Sequence, residues 1–284
     1  MEMQLLEPTT VARLRRVERS VLRLARRLRG GEMEVLDLSL TSTAGYTLAA
    51  RLFLPLEGTA LPGVVLCPDK NDGMAALLAG EAPVSPAGLC RLGFAVLVFD
   101  PAGRGASWGE EDQGGPEHQD NVAVAWRTLS EVSRVDAARV GIVGLGAGSF
   151  MAVGAAASLG TAPHWVLDWE GPADRDTVVS TQGDGVLGTD DETWWRDRAA
   201  SGLVRRLKCP YARLQAEDDH ACPGELRHAL RMMWACDEAG LAWFQINDHP
   251  PGEATGRPVW LASGVLAARQ ALHRKMLALS RMEL

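Results

Sequence analysis

Arg139-Val140-Gly141-Ile142-Val143-Gly144-Leu145-Gly146-Ala147-Gly148-Ser149 is the stretch on which the fold turns. Its first half is a short apolar run, of the kind that forms a parallel strand buried on both faces. Its second half is small residues, which permit a sharp bend into a helix expected at about 147–159. From Val140 to Leu167 there is no Asp, Glu, Lys or Arg. That length could span a bilayer. The abundance of Gly and Ala, with Pro163 and His164, favours strand, turn, helix and strand inside a packed core, and no transmembrane segment is expected.

Outward from this stretch, strands and helices alternate. Val35–Leu40 and Tyr46–Leu54 alternate apolar and polar residues, as half-buried antiparallel strands do. Val64–Cys67, Phe94–Phe99, Trp165–Leu167, Tyr211–Leu214 and Leu241–Ile246 are nearly all apolar, like Val140–Val143. Helices are expected at about 84–92, 118–133, 224–238 and 261–279. An antiparallel start followed by a βα series makes one α/β sheet. Residues 172–206, rich in charge and Trp, break the alternation and read as a lid-like insertion. The expected domains are an N-terminal helix over 1–31 and an α/β body over 32–284.

Composition bounds the function. The chain has 284 residues, 46% hydrophobic, with net charge −7, which argues against a generic nucleic-acid binder. Its five cysteines are scattered without CxxC spacing, so a reducing, cytoplasmic setting and no zinc site are expected. The first residues hold no apolar run that could serve as a signal peptide. Eight Arg fall within residues 1–30 against Glu2, Glu7 and Glu18. Leu14, Val17, Val21, Leu24 and Leu28 make this segment amphipathic, and Gly30-Gly31 stops it. It either docks on its own acidic body or lies against a membrane surface, a partner or a second copy of the chain.

Four segments carry the chemistry. Asp100-Pro101-Ala102-Gly103-Arg104-Gly105-Ala106-Ser107-Trp108-Gly109 follows an apolar strand, and Asp100 and Ser107 are expected to tie that turn. Cys67-Pro68-Asp69-Lys70-Asn71-Asp72-Gly73 follows another. Gly144, Gly146 and Gly148 mark the bend. Glu217-Asp218-Asp219-His220-Ala221-Cys222-Pro223 and Asn247-Asp248-His249-Pro250 follow the last two strands.

In this order the segments resemble the α/β-hydrolase superfamily, in the branch of dienelactone-hydrolase-like and acyl-peptidase-like esterases, over about residues 34–280. The resemblance implies an α/β-hydrolase fold: a mostly parallel twisted sheet, helices on both faces and a short lid. It places the nucleophile at Gly146, the acid at Asp219 and the base at His249, with Asp218 and His220 as rivals. The oxyanion hole would be the backbone N–H groups of Ala147 and of Asp69 or Lys70. The chain departs from the pattern at two points. The usual His-Gly is missing at 69–70, and Gly146 replaces the serine of G-x-S-x-G. Glycine has no oxygen to acylate. Ser149 lies inside the helix, beside a large Met151, and reads as a packed or capping hydroxyl.

The resulting expectation is a hydrolase relative that is silent or impaired and acts as a ligand-binding or scaffold protein for a small ester or acyl-type molecule, with no cofactor. The N-myc downstream-regulated family looks similar at the bend. The alternatives are an active esterase, with its serine exchanged in this chain or with Asp219 and His249 activating water, and a Rossmann-type NAD(P) protein using Gly144, Gly146, Ser149 and the Asp168 carboxylate. Trp169, Trp194 and Trp195 are candidates for an acyl-binding wall or for lid packing. The acidic clusters Asp168, Glu170, Asp174, Asp176 and Asp190, Asp191, Glu192 read as solvated loop charge rather than a metal site.

Overall fold

A computed structural model describes residues 33–79, 84–182, 191–215, 227–247 and 265–282. The expected N-terminal helix lies outside the described residues. The strands are β1 (Met33–Thr41), β2 (Thr47–Pro55), β3 (Leu61–Cys67), β4 (Ala95–Phe99), β5 (Val135–Leu145), β6 (Val166–Trp169), β7 (Tyr211–Leu214) and β8 (Phe244–Ile246). They form one sheet in the order β1-β2-β4-β3-β5-β6-β7-β8. The β1–β2 and β2–β4 pairs are antiparallel and the rest are parallel. Each expected strand is found.

The helices are α1 (Met74–Leu78), α2 (Pro86–Arg91), α3 (Pro116–Ser130), α4 (Gly148–Ser158), α5 (Arg175–Gln182), α6 (Glu192–Arg196), α7 (Ala200–Leu203), α8 (Arg227–Glu238) and α9 (Val265–Leu279). Side chains of α3, α4 and α8, among them Trp126, Phe150 and Met232, bury one face of the sheet. Leu89 of α2 and Leu272 and Met276 of α9 bury the other. The two-sided burial explains why the central strands are apolar throughout.

This order sets β5 between β3 and β6. Cys67 pairs with Gly144, and Leu145 with Trp169, so the ends of three strands converge at the bend after β5. The turn after β4 braces the same edge. Ser107 Oγ donates to the Asp100 carbonyl at 2.6 Å, and the Asp100 carboxylate accepts from the N–H groups of Met74 (2.7 Å) and Ala106 (2.9 Å). The expected tie between Asp100 and Ser107 is thus present.

The insertion at 172–206 carries α5, α6 and α7. It is held to the body by Arg198, which reaches the Asp112 carboxylate at 2.5 Å, and by Gln119, which donates to the Asp197 carbonyl at 2.7 Å. Part of the acidic cluster is not solvated loop charge. Asp168, Glu170 and Asp174 are buried. Asp174 accepts from Thr177, Ser201 and Arg231, which explains how its charge is tolerated. Among the described residues no helix is long and apolar enough to cross a membrane.

Candidate ligand site at the strand-to-helix bend

The bend after β5 is built by close backbone approach. A Cβ at position 144 would lie 2.5 Å from the Ser149 Cα, and one at 148 would lie 2.3 Å from the Pro68 carbonyl oxygen. Only glycine lets the chain fold back this tightly. Gly146 sits at the apex with φ +51°, and its N–H donates to the Trp169 carbonyl at 2.9 Å.

The Asp69 side chain occupies the place where a residue-146 side chain would project. A Cβ on Gly146 would fall 2.3, 2.5 and 2.6 Å from Asp69 Oδ1, Cγ and Oδ2. Asp69 Oδ1 accepts from the backbone N–H of Ala147 at 2.7 Å and of Lys70 at 2.6 Å. The structure therefore brings Ala147, Lys70, Asp69 and Gly146 together. It also fills the pair of N–H groups with a carboxylate of the chain itself. Sequence reasoning assigned the 69–70 loop a backbone role alone and missed the side chain. The available signal was the joint departure at 69 and 146.

Arg104 fixes the loop that carries Asp69. Its guanidinium forms a two-pronged pair with Glu111 (2.7 and 2.8 Å) and donates to the carbonyls of Asp69 (3.0 Å) and Asp72 (3.1 Å). Partial burial raises the Asp72 carboxyl above its ordinary value, the Asp69 carboxylate adds to this, and Arg104 works the other way.

A cleft opens beside the bend, lined by Asp69, Lys70, Arg104, Gln113, Phe150 and Trp194 among others. Of the three candidate wall tryptophans, Trp194 lines it. Trp195 is buried, edge-on to Phe150 at 6.0 Å between ring centres. Trp169 is buried in the core on the other side of the sheet. Those two pack the protein rather than face the cleft.

Ser149 is fully buried and donates to the Asp168 carboxylate at 2.6 Å, so it is a packed hydroxyl. Asp168 is also fully buried. It accepts further bonds from Gly171 N–H, Tyr211 Oη and Arg213 Nη1 at 2.8, 2.6 and 2.7 Å. With those partners it cannot meet a ribose, which removes the basis of the dinucleotide alternative. Asp219 and His249 lie outside the described residues, as do Asp218 and His220.

No protein-family model matches the chain, and no curated protein matches it. Solved structures do. The chain is similar to the Porphyromonas gingivalis dipeptidyl peptidase 4, with TM-score 0.66, 16% identity and cover of 87% of this chain and 35% of that one. It is similar to the Pyrococcus horikoshii acylaminoacyl peptidase, with TM-score 0.65, 14% identity and cover of 89% and 43%. It is also similar to an acetyl xylan esterase from Paenibacillus sp. R4, with TM-score 0.61, 15% identity and cover of 98% and 96%. The chain thus spans less than half of the two peptidases and nearly all of the esterase. At such identities the likeness is one of fold. The chain has the α/β-hydrolase fold.

Proposed function

We propose that this chain is a hydrolase-fold protein that forms no serine-type acyl-enzyme and uses the cleft beside the bend to bind a small ligand. The observation that carries this reading is the seat of Asp69. A serine hydrolase needs a hydroxyl at the apex and two open N–H donors for the oxyanion. Here the apex is glycine, and the donors at Ala147 and Lys70 are satisfied by the Asp69 carboxylate. An ester carbonyl entering the cleft would meet negative charge where a serine hydrolase offers donors. The esterase-like neighbours support an acyl- or ester-sized ligand, and the apolar wall of Phe150, Met151 and Trp194 supports a short apolar group. Asp219 and His249 are the proposed remnants of the acid and base.

The test is hydrolysis of a short p-nitrophenyl ester by the wild type, by Gly146→Ser, and by Gly146→Ser combined with Asp69→Gly. The wild type and the single variant are expected at background. The double variant is expected to gain at least about 100-fold, since a nucleophile restored beside open donors recovers part of a loss of roughly 10⁶. Substantial wild-type turnover that is blocked by a serine-directed fluorophosphonate would defeat this reading.

A further inference from the structure

We infer that the Arg-rich segment near the start of the chain docks on the chain's own body: its stripe of Leu14, Val17, Val21, Leu24 and Leu28 covers the end of the sheet where β1 begins, β2 ends and β4 begins. The segment lies outside the described residues, but the surface it covers is described. This docking is separate from the cleft and does not depend on what the cleft binds.

Among the described residues, four large apolar side chains are exposed: Leu56 (56%), Leu92 (41%), Trp108 (73%) and Trp234 (53%). Two of them sit at one end of the sheet. Leu56 follows Pro55, which pairs with Met33, the first residue of β1. Leu92 caps α2, a helix that packs across β1 and β2. It leads through Gly93 and Phe94 into β4, which lies beside the end of β2 through the Phe53–Val96 pair. Two strand spacings, about 10 Å, separate β1 from β4. Met33 and Val35 are themselves only half-buried against the core under α2 and α9. A single exposed leucine is ordinary, whereas apolar residues gathered at one place mark a contact surface.

The tether selects among the four. Leu28 is five residues from Met33, a reach of at most about 18 Å. Gly30 and Gly31, in between, permit the chain to reverse direction. Leu56 and Leu92 fall within that reach. Trp108 does not, because its N–H donates to the carbonyl of Thr47, opposite Thr41, eight residues or about 26 Å along β1 from Met33. Trp234 is on α8, which packs against β8 at the opposite edge of the sheet. A short tether gives the segment an effective concentration of about millimolar order at this surface, which a separate partner or a second copy would have to exceed.

Charge and topology favour the same occupant. Residues 1–30 carry +5, and with −7 on the whole chain the rest carries −12. Glu34 and Glu57 border the surface and give the arginines acidic neighbours. An anionic membrane would attract the segment but repel the body, and the stripe has no aromatic anchor. β1 is nine residues long and pairs on one side only, with β2. An edge of that length is a template for pairing with another chain, and a charged segment laid beside it blocks such pairing.

The test is amide exchange on the full chain, read by mass spectrometry. In the wild type, residues 14–28 are expected to exchange at least about 10-fold slower than the same sequence as a synthetic peptide. Leu56→Ser combined with Leu92→Ser, both at exposed positions that the fold tolerates, is expected to remove that protection while β3 and β5 keep theirs. Leu24→Asp should do the same from the other side of the contact and should also speed exchange over residues 33–41. The protection should not change with protein concentration or with added vesicles of phosphatidylcholine and phosphatidylglycerol. Peptide-like exchange of 14–28 in the wild type, or protection that survives the Leu56 and Leu92 substitutions, overturns the proposal. So does protection that grows with protein concentration, which would mean a second copy, or that requires vesicles, which would mean a membrane surface.

Discussion

Gly146 and Asp69 are 77 positions apart in sequence and share one volume in space. Each departure was legible alone: a glycine without a hydroxyl, and an aspartate where a His-Gly is usual. Their coupling was not, because no periodicity links two loops that meet only when β3 and β5 pair. The coupling has a stability consequence. Gly146→Ala adds a Cβ at φ +51° within 2.3 Å of Asp69 Oδ1, so Asp69 must swing out and both N–H donors lose their partner. A loss of about 2–4 kcal/mol is expected in urea denaturation. Adding Asp69→Gly should recover part of it, because the clash is then gone. Simple additivity of the two losses would show that the residues do not compete. The fully buried Asp168–Arg213 pair is a second residue-scale case. Arg213→Met leaves a buried carboxylate without its cation and should cost about 3–5 kcal/mol. In sequence Asp168 reads as loop charge or as a ribose-binding acid, because no local pattern links it to Arg213, 45 positions on.

Elements were legible wherever both faces of the sheet are covered. Apolar runs of three to six residues mark β4, β6 and β7 to within a residue or two, and the helical stretches between runs mark α2, α3, α4, α8 and α9 to within a few. Shortfalls have physical causes. β5 begins at Val135, but its first half, Asp136-Ala137-Ala138-Arg139, is partly to fully exposed and gives no buried-strand signal. α1 has five residues, too few to show a helical period. The insertion reads as lid-like because its charge and Trp break the alternation, and no local pattern shows what anchors it: Arg198 over the Trp194 ring at 4.3 Å, and its bond to Asp112. This clamp supports the Trp194 wall of the cleft. Arg198→Leu should therefore speed amide exchange across residues 191–203 and leave β3 and β5 protected. Uniform acceleration over the whole sheet would mean that the clamp serves global rather than local stability.

At the scale of the molecule, two apolar cores sandwich one sheet, and stability depends on keeping the charged groups at their margins in the right protonation state. His118 is fully buried at the start of α3, against the turn after β4. Its Nδ1 accepts from the Gly114 N–H at 3.1 Å and its Nε2 faces the Ala102 carbonyl at 3.0 Å, an arrangement that suits the neutral ring. Burial pushes its pKa below the ordinary 6.5, with Arg104 adding to the shift, and the Ala102 carbonyl, Glu111 and Asp112 only partly oppose it. His164, next to β6 and near the last turn of α9, is lowered by burial and by Arg139. In the unfolded chain both rings take up a proton near 6.5, and in the folded chain they resist it. Between those limits the unfolded state binds more protons, so stability is complete above about pH 6.5 and falls as pH drops below it. Asp174 is also below its ordinary 3.8, because bonds from Thr177, Arg231 and Ser201 outweigh its burial, and its contribution is lost only at still lower pH. Urea midpoints should therefore decline from about pH 7.5 to about pH 5, before carboxylates titrate. His118→Gln should lower the midpoint at neutral pH, where it sacrifices packing, and flatten the decline. A wild-type midpoint that rises toward pH 5 would mean that the buried imidazoles are charged in the native state.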